Sequence, residues 1–416
     1  MMKRRVVVTG MGAVTPVGND VATTWRSMLE GRSGAAPITK FDPAKFPVRF
    51  ACELKGFDPL STMDRKEAKR ADPYAQYAVA GAVEAMRDSG LAEYTELDKD
   101  RLGVIFGSGI GGLKTFEEQH DVYRELGPSK ISPFFIPMFI ADIAAGIVSM
   151  RFAARGPNYA TVSACSTSAH AIGEAFRTIQ YGDADAIITG GSEATVTQMA
   201  IGGFANMKAL SERNDSPETA SRPFDKDRDG FVMGEGSGVL ILEELEHARR
   251  RGARIYAEVV GYRATGDAYH LTGQLPEHEG IQRSMRGALK DAGLTPDQID
   301  YVNAHGTSTP LNDSNEAKAI MRVFDEAAGN LSVSSTKSMT GHMLGATGAV
   351  ELIASVLAIR DGAVPPTINH FNPDPECGTL DFTPNEARKR EVRAALSNSA
   401  GFGGHNVSLV VKRFAE

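Results

Sequence analysis

The stretch Thr161–Gly191, TVSACSTSAHAIGEAFRTIQYGDADAIITGG, decides the fold of this chain. It predicts a strand, a tight turn, a long buried helix and a second strand, with Cys165 at the turn. The helix prediction rests on apolar residues that recur at helical spacing, namely Ala169, Ile172, Ala175, Phe176 and Ile179. A thiol at the start of a helix faces the positive end of the helix dipole, which lowers its pKa and favours the nucleophilic thiolate. A small buried hydrophobic cysteine is the alternative, and this stretch alone leaves both interpretations open.

Two distant segments each place a histidine in a turn rich in glycine, serine and threonine. YVNAHGTSTPLND (Tyr301–Asp313) carries His305 after an apolar strand, and STKSMTGHMLGATGAVE (Ser335–Glu351) carries His342 before a helix of small residues. A single histidine after a strand is more often structural. Three reactive side chains, each at the end of an element, with small residues around Cys165 and glycine beside each histidine, favour a catalytic site built from all three.

Composition excludes several classes of protein. The 416 residues exceed the usual size of a single core, so we expect two substructures or one large duplicated core. Hydrophobic residues at 42% and charged residues at 23% are typical of a soluble globular protein. The net charge of -7 argues against a general nucleic-acid binder. The glycine-rich turn Gly10–Gly18 breaks the GxGxxG spacing of a dinucleotide loop, and we expect no cofactor.

Three cysteines, Cys52, Cys165 and Cys377, form neither an even disulfide set nor a CxxC spacing for a metal, and we expect no metal site. A reactive thiol survives best in a reducing compartment, so the cytoplasm is the predicted location. The N-terminus passes from a short basic run into a strand pattern, and no stretch approaches 18 apolar residues. We therefore expect the protein to be neither secreted nor membrane-spanning.

The order of predicted elements repeats along the chain. From Tyr256 onward, strands and helices alternate as they do in the first part, and His342 precedes its helix much as Cys165 precedes its own. Residue identity between the two parts is slight, so the inference of duplication rests on the order of elements. We predict an α/β protein with an N-terminal half over residues 1–255 and a C-terminal half over residues 256–416.

Four motifs in combination resemble those of the β-ketoacyl-[acyl carrier protein] synthases. They are SACSTSAH around Cys165, AHGTSTP around His305, KSMTGHMLGATG with Lys337 and His342, and GFGGHN over residues 401–406. The resemblance extends from VVVTGMGAVTPVG near the start to NVSLVVKR near the end. It implies a thiolase-like fold, a five-layer α-β-α-β-α sandwich of two duplicated halves. The Cys-His-His pattern is similar to that of the elongating members, the synthase II subgroup, because the initiating type carries asparagine at one histidine position.

The resemblance also implies an activity, the decarboxylative Claisen condensation of malonyl-[acyl carrier protein] with an acyl chain held on Cys165. The product is a fatty-acid chain that is longer by two carbons. In this family pattern, the backbone N–H groups of Cys165 and Phe402 bind the oxyanion, while His305 and His342 stabilise the enolate. Lys337 and Glu351 match charged positions that orient histidines and loops, and a structural ion pair is our leading interpretation of Glu351.

Further residues acquire roles only through the resemblance. Phe402 stands among glycines and is predicted to be a gate that moves when an acyl chain enters, a fixed core phenylalanine being the alternative. The remaining predicted substrate-binding residues are Thr307 and Thr309 for the pantetheine arm, Ile110 and Phe204 for the acyl channel, and Gly401.

Partners follow from the same resemblance. Lys66, Lys69 and Arg70 form a basic run in an otherwise acidic chain, which predicts a docking site for acidic acyl carrier protein, although such runs are often only solvated faces. The apolar, proline-interrupted segment Ser129–Met150 suits a homodimer interface or the wall of a lipid pocket, and an ordinary core segment is equally compatible with its residues.

Several alternatives stay open. The near ones are a synthase I paralogue and the ketosynthase of a type II polyketide pathway. A non-catalytic chain-length subunit is disfavoured because Cys165 is present. A thiolase is disfavoured because Cys377, in NPDPECGTL, lies outside the terminal glycine loop where a second cysteine is needed.

Overall fold

The structure, a computed structural model, describes residues 3–415. Its strands, in chain order, are Val6–Val14 (β1), Ala36–Pro37 (β2), Phe50–Ala51 (β3), Leu102–Gly107 (β4), Asn158–Tyr159 (β5), Ala186–Glu193 (β6), Gly236–Glu244 (β7), Ala257–Gly266 (β8), Tyr301–Asn303 (β9), Ser332–Ser334 (β10), Ala363–Val364 (β11), Arg388–Lys389 (β12), Ala394–Gly401 (β13) and His405–Lys412 (β14). The α-helices are Val21–Leu29 (α1), Arg65–Lys69 (α2), Pro73–Asp88 (α3), Leu113–Leu126 (α4), Phe135–Phe139 (α5), Ile143–Phe152 (α6), Thr167–Tyr181 (α7), Gln198–Asn206 (α8), Leu245–Arg250 (α9), Glu279–Ala292 (α10), Pro310–Phe324 (α11), Lys337–Thr340 (α12) and Thr347–Asp361 (α13).

Ten strands form one sheet whose two halves have the same topology. The first half has the order β1-β7-β6-β4-β5 and the second has the order β8-β14-β13-β9-β10. In each half the first three strands are antiparallel neighbours and the last three are parallel neighbours. The halves join where Val6–Val8 pairs with Ala257–Val259. The predicted duplication of the fold is confirmed.

Helices cover both faces of each half and produce five layers. Helices α7 and α13 pack between the two halves of the sheet, in a core that contains residues from β1, β7, β8 and β14. Helices α3 and α6 cover the outer face of the first half, and α10 and α11 cover that of the second. Neighbouring residues of β6 point to opposite cores, Ile187 to the central one and Ile188 to the outer one. Burial on both faces explains why these strands read as continuous apolar runs.

The two central helices begin at unusual backbone positions. Ala164, just before Cys165, has φ 51°, and Leu344, three residues before α13, has φ 44°. A left-handed residue other than glycine costs about 1–2 kcal/mol, so both turns are held by the packing around them. The predicted strand before Cys165 is wrong: residues 160–163 form no strand, because β5 pairs with β4 only through Asn158 and Tyr159.

No helix within residues 3–415 has the length and apolar character needed to cross a membrane. The boundary between residues 255 and 256 stays a prediction. It falls in the connection between α9 and β8.

Candidate active site

One cavity of about 370 Å³ gathers the side chains of three distant turns. Cys165, His305, His342 and Phe402 all line it. The halves of the sheet hold these turns in place, because Cys165 precedes α7, His305 follows β9 and His342 precedes α13. Side chains from segments that are far apart in the sequence therefore face one space large enough for part of a small substrate.

Cys165 lies at the bottom of this cavity and is only 8% exposed. Burial raises the pKa of its thiol to about 12, while the Lys337 ammonium and the backbone N–H groups of Phe402 and Cys165 act in the opposite direction. The expected lowering of the pKa by the helix dipole is therefore wrong, because desolvation of the thiolate outweighs the favourable charges. A nearby base has to take the thiol proton when the nucleophile reacts.

His305 lies in a loop whose backbone is hydrogen-bonded to a buried carboxylate. Glu316 accepts hydrogen bonds from the backbone N–H groups of His305 and Gly306, each at 2.8 Å. Burial, followed by the nearby Lys337 charge, holds the pKa of the His305 ring well below its usual value. Its Nδ1 has no hydrogen-bond partner within residues 3–415.

His342 lies against His305 in a perpendicular arrangement. Their ring centroids are 5.4 Å apart with planes at 85°, and Nδ1 of His342 lies 3.1 Å from Oγ1 of Thr347. Burial and then Lys337 hold the pKa of His342 well below its usual value as well. Both imidazoles are thus neutral near pH 7, and each carries one N–H donor and one acceptor nitrogen.

Lys337 and Glu351 form an ion pair that is almost completely buried. The Lys337 ammonium donates to Oε1 of Glu351 and to the backbone carbonyl oxygen of His305. Burial raises the pKa of Glu351 to about 7, against the lowering effect of Lys337. Lys337 is thereby anchored below the His305 loop.

The glycine loop after β13 closes over the nucleophile. A Cβ atom on Gly401 would lie 2.7 Å from the carbonyl oxygen of Ser163 and 3.2 Å from the amide nitrogen of Cys165. Only glycine allows this approach, which brings the backbone N–H of Phe402 near the Cys165 sulfur. The Phe402 ring lies 6.3 Å from that of Phe204, centroid to centroid.

Not all of the other predicted substrate-binding residues line the cavity. Thr307 and Thr309 line the cavity, with their hydroxyl oxygens 2.9 Å apart, and Phe204 also lines it. Ile110 does not lie on its wall; it packs in the apolar cluster that contains Cys165 and Phe204. Cys165 and Phe204 of this cluster also line the cavity, so the cluster and the cavity adjoin.

Two buried carboxylates of the site were missed by the sequence reasoning. Glu193 accepts from Oγ of Ser108 at 2.8 Å and from the N–H groups of Gly109, Ile110 and Gly345 at 2.8, 3.2 and 2.9 Å. It joins the loop after β4 to the turn before α13, and burial raises its pKa to about 7. Glu316 joins the His305 loop to α11 in the same way, through the N–H groups of His305 and Gly306. Glu193 had a sequence signal, a charged residue inside a run of apolar and small residues, but Glu316 stands among polar residues and had none.

The predicted docking residues lie on the surface. Lys66, Lys69 and Arg70 are exposed on and just after α2, and the Arg70 guanidinium lies 4.2 Å from the centroid of Phe134. Within residues 3–415, Lys66 and Lys69 have no ion-pair partner.

Comparisons with known proteins agree with this geometry. A family model described as the N-terminal domain of beta-ketoacyl synthase matches residues 3–248, and one described as its C-terminal domain matches residues 256–371. A 3-oxoacyl-[acyl-carrier-protein] synthase 2 of Staphylococcus aureus (strain COL) is 56% identical over 411 residues, which cover 99% of each chain. A protein of the same name from Synechocystis sp. is 53% identical over 412 residues, again 99% of each.

Solved structures give the same result. A beta-ketoacyl synthase from Burkholderia phymatum STM815 has a TM-score of 0.93 at 35% identity, covering 99% of this chain and 100% of that one. A ketosynthase solved with its type II polyketide acyl-carrier protein has a TM-score of 0.91 at 35% identity with the same coverage.

A thiolase-like fold with a cysteine and two histidines on one cavity defines a class of condensing enzymes. The chain belongs to the beta-ketoacyl synthase family. It is an acyltransferase that elongates fatty-acid chains by condensation.

Proposed function

We propose that Cys165 accepts the acyl chain and that His305 and His342 act on the malonyl thioester. The convergence of these three side chains on one cavity is the observation that carries the proposal. In the first step the Cys165 sulfur attacks the acyl thioester, its proton passes to a neutral histidine, and the carrier thiol leaves after taking up a proton. The acyl group is then held as a thioester on Cys165.

The oxyanion of each tetrahedral intermediate is bound by backbone donors. The backbone N–H groups of Cys165 and Phe402 both lower the pKa of the Cys165 thiol through hydrogen bonds, which supports their role as this pair of donors. Removal of one such donor costs about 3–4 kcal/mol of transition-state stabilisation in other enzymes. The close approach that Gly401 permits is needed for the second donor.

The carbon–carbon bond forms in the second step. The bond between the malonyl α-carbon and its carboxylate breaks and releases carbon dioxide, and the electron pair becomes an enolate. Nε2–H donors of His305 and His342 stabilise its oxygen, an assignment supported by the low pKa of both rings and by the Thr347 hydroxyl beside Nδ1 of His342. The enolate carbon attacks the acyl carbonyl, and the Cys165 thiolate leaves.

The surrounding residues position these groups. We assign Lys337 and Glu351 to holding the His305 loop, Thr307 and Thr309 to the pantetheine arm, and Phe402 to the gate. Movement of the Phe402 ring would open the cavity toward the apolar cluster that contains Ile110 and Phe204. This cluster is the proposed acyl channel.

We propose that acyl carrier protein docks on α2 through Lys66, Lys69 and Arg70. The charge of this helix is opposite to that of an acidic carrier, and the related ketosynthase solved with its acyl-carrier protein supports a carrier as partner. Charge reversal in Lys66→Glu/Lys69→Glu should raise KM for the carrier-bound substrate and leave kcat unchanged. Lys45→Glu, an exposed control elsewhere on the surface, should leave both unchanged.

We also propose a homodimer that forms along β5. This two-residue strand is exposed at the edge of the ten-stranded sheet, beside exposed apolar side chains on α4 to α6 such as Phe116, Ile136 and Met150. Sheet edges and apolar patches of this kind are normally covered. Ile136→Asp/Met150→Asp should give a monomer in analytical ultracentrifugation, while Phe371→Asp, at an exposed site elsewhere, should not.

The cytoplasm is the proposed location, supported by three cysteines that are all free. Acyl-enzyme mass spectrometry over a panel of primer lengths tests the central proposal. We expect the mass of one acyl group on Cys165 of the native chain and none on Cys165→Ser. An acyl group on another residue would contradict the proposal.

Type II polyketide ketosynthases are the alternative; one shares this fold at 35% identity, below the 56% identity to a 3-oxoacyl-[acyl-carrier-protein] synthase 2. Incubation with malonyl-carrier protein and an unsaturated C16 acyl-carrier protein separates the two. A fatty-acid synthase of either elongating type extends this primer, and a polyketide enzyme leaves it unused.

A further inference from the structure

A second cavity, separate from the one that contains Cys165, has a strongly basic wall. Its volume is about 660 Å³. Its charged lining consists of one carboxylate, Asp291, and six basic side chains, Lys3, Arg177, Arg263, Arg283, Arg286 and Lys290. The chain as a whole has a net charge of -7, so this concentration of positive charge is local.

One wall of this basic cavity is a face of α10. Arg283, Arg286 and Lys290 follow one another at spacings of three and four residues, which places them on the same side of the helix. Glu279 neutralises Arg283 at 2.8 Å, but Arg286 reaches only the uncharged oxygens of Gln282 and Arg322 at 3.3 Å. Lys290 has no ion-pair partner within residues 3–415. Like charges at this spacing repel each other unless an anion lies between them.

The side chain of Arg263, on β8, passes over Gly287 of α10 and extends into the same cavity. A Cβ atom on Gly287 would lie 2.5 Å from Cγ of Arg263, so the missing side chain makes room for the arginine stem against α10. The guanidinium of Arg263 makes no hydrogen bond or ion pair in the described part of the chain. All five of its N–H donors are free for a ligand.

The acidic groups in and beside the cavity are already engaged. Asp291 accepts from Nη2 of Arg177 at 2.7 Å and from the backbone N–H of Tyr262 at 3.1 Å. Glu174 accepts from the Tyr262 hydroxyl at 3.1 Å. Even when Asp291, Glu174 and Glu279 are all subtracted from the six cations, three positive charges remain.

We propose that this basic cavity binds a small molecule that carries two or more phosphates and has the size of a nucleotide. Arginine forks match phosphate oxygens, and Arg263, Arg286 and Lys290 offer uncommitted donors from two different elements. The volume lies in the usual range for small-molecule sites and is larger than a single phosphate needs. A concave site lined by one sign of charge also concentrates such ions locally.

Isothermal titration calorimetry on the full chain tests this proposal with ADP, tripolyphosphate and inorganic phosphate as probes. At about 50 mM salt, where charges on a surface are only partly screened, we expect ADP or tripolyphosphate to bind and phosphate to bind at least about tenfold more weakly, one lost charge-assisted contact being worth roughly that factor. The double variant Arg263→Gln/Lys290→Gln should raise Kd about tenfold or more. Lys45→Gln/Arg250→Gln removes the same charge from exposed sites elsewhere and should leave Kd unchanged.

Binding is measured without the condensation reaction, so its result is independent of the roles proposed for Cys165 and the histidines. Three results would overturn the proposal: no binding of any probe, equal weakening by both double variants, or equal displacement by sulfate at the same concentration. Thermal unfolding of both double variants verifies that they are folded. A preference for ADP over tripolyphosphate would show that the nucleoside contributes to binding, in support of a nucleotide ligand.

Discussion

The ammonium group of Lys337 donates a hydrogen bond to the backbone carbonyl oxygen of His305. The same ammonium pairs with Glu351, so one buried cation connects the His305 loop to α13. Its charge also lowers the pKa values of both histidines and opposes the raised pKa of Cys165. We therefore expect Lys337 to act as a positioning residue for Cys165 and both histidines.

Removing Lys337 should destabilise the protein and make the thiol harder to ionise. Lys337→Met leaves the Glu351 carboxylate buried without its cation, which costs about 3–5 kcal/mol in comparable pairs. Urea unfolding measures this loss, and Lys337→Met/Glu351→Leu should recover most of it. The readout that separates positioning from simple stability is the pH dependence of Cys165 alkylation, which should move to higher pH in both variants. An unchanged pH profile would contradict the electrostatic role.

Alkylation should distinguish Cys165 from the other buried cysteines. Burial raises the pKa of both Cys165 and Cys52 to about 12, but only Cys165 lines a cavity. We expect iodoacetamide to modify Cys165 at least about tenfold faster than Cys52, because the reagent has access and backbone donors stabilise the thiolate. Peptide mass spectrometry over a time course gives both rates.

The same alkylation experiment tests whether the pKa of the Cys165 thiol is raised. Below a pKa of about 12 the thiolate fraction rises with pH, so the rate of Cys165 modification should increase continuously from pH 7 to 10. A plateau below pH 8 would show that the helix dipole and the N–H donors outweigh desolvation.

The two histidines should be needed for the loss of carbon dioxide. His305→Ala and His342→Ala each remove one donor to the enolate, and a donor of this kind contributes about 10²–10³ in rate. Release of labelled carbon dioxide from malonyl-carrier protein measures the step directly, while acylation of Cys165 is followed separately. His370→Asn is the matched control, because His370 is similarly buried but packs on Phe382, off the cavity wall. Undiminished decarboxylation in either alanine variant would refute the assignment.

Both rings should stay neutral across the working range of pH. Their pKa values lie well below 6.5, so the donors do not become charged between pH 6 and 8. We expect the rate of decarboxylation to be flat over this interval. A loss of rate with a midpoint near pH 6.5 would mean that at least one ring titrates as an exposed histidine does.

Because of Glu193, the free energy of unfolding should depend on pH. Its pKa is raised to about 7 by burial, so between pH 4.5 and 7 the folded chain binds more protons than the unfolded chain. Stability contributed by this group is present at low pH and is lost as the pH rises through 7. Glu193→Gln should destabilise by about 1–3 kcal/mol through lost N–H acceptors, and this penalty should shrink as the pH rises from 5 to 7.

Glu84 provides the control for that experiment. It is partly buried on α3, accepts from the N–H groups of Ala13 and Val21, and has its pKa raised to about 7 by burial. Glu84→Gln should show the same sign of pH dependence in urea unfolding. Only Glu193→Gln should also reduce condensation, because only Glu193 holds the turns beside Cys165 and His342.

The local pattern of residues was sufficient to predict most of the fold and the three reactive side chains. Apolar spacing predicted α7 and the strands of both halves, since burial on both faces of a sheet leaves continuous apolar runs. Small residues around Cys165 and glycines beside His305 and His342 marked these side chains, because sharp turns at the ends of elements need small residues. The repeated order of elements predicted a duplicated fold.

Tertiary structure alone decided how those groups act. The pKa of Cys165 depends on how much water is excluded from the sulfur, and no spacing in the sequence reports that burial. Glu193 and Glu316 acquire their positions from backbone N–H groups of distant segments, so their neighbours in the sequence carry no sign of it. Ile110 lies off the cavity wall for the same reason: contacts through space, between residues far apart in the chain, place it in the apolar cluster that contains Cys165.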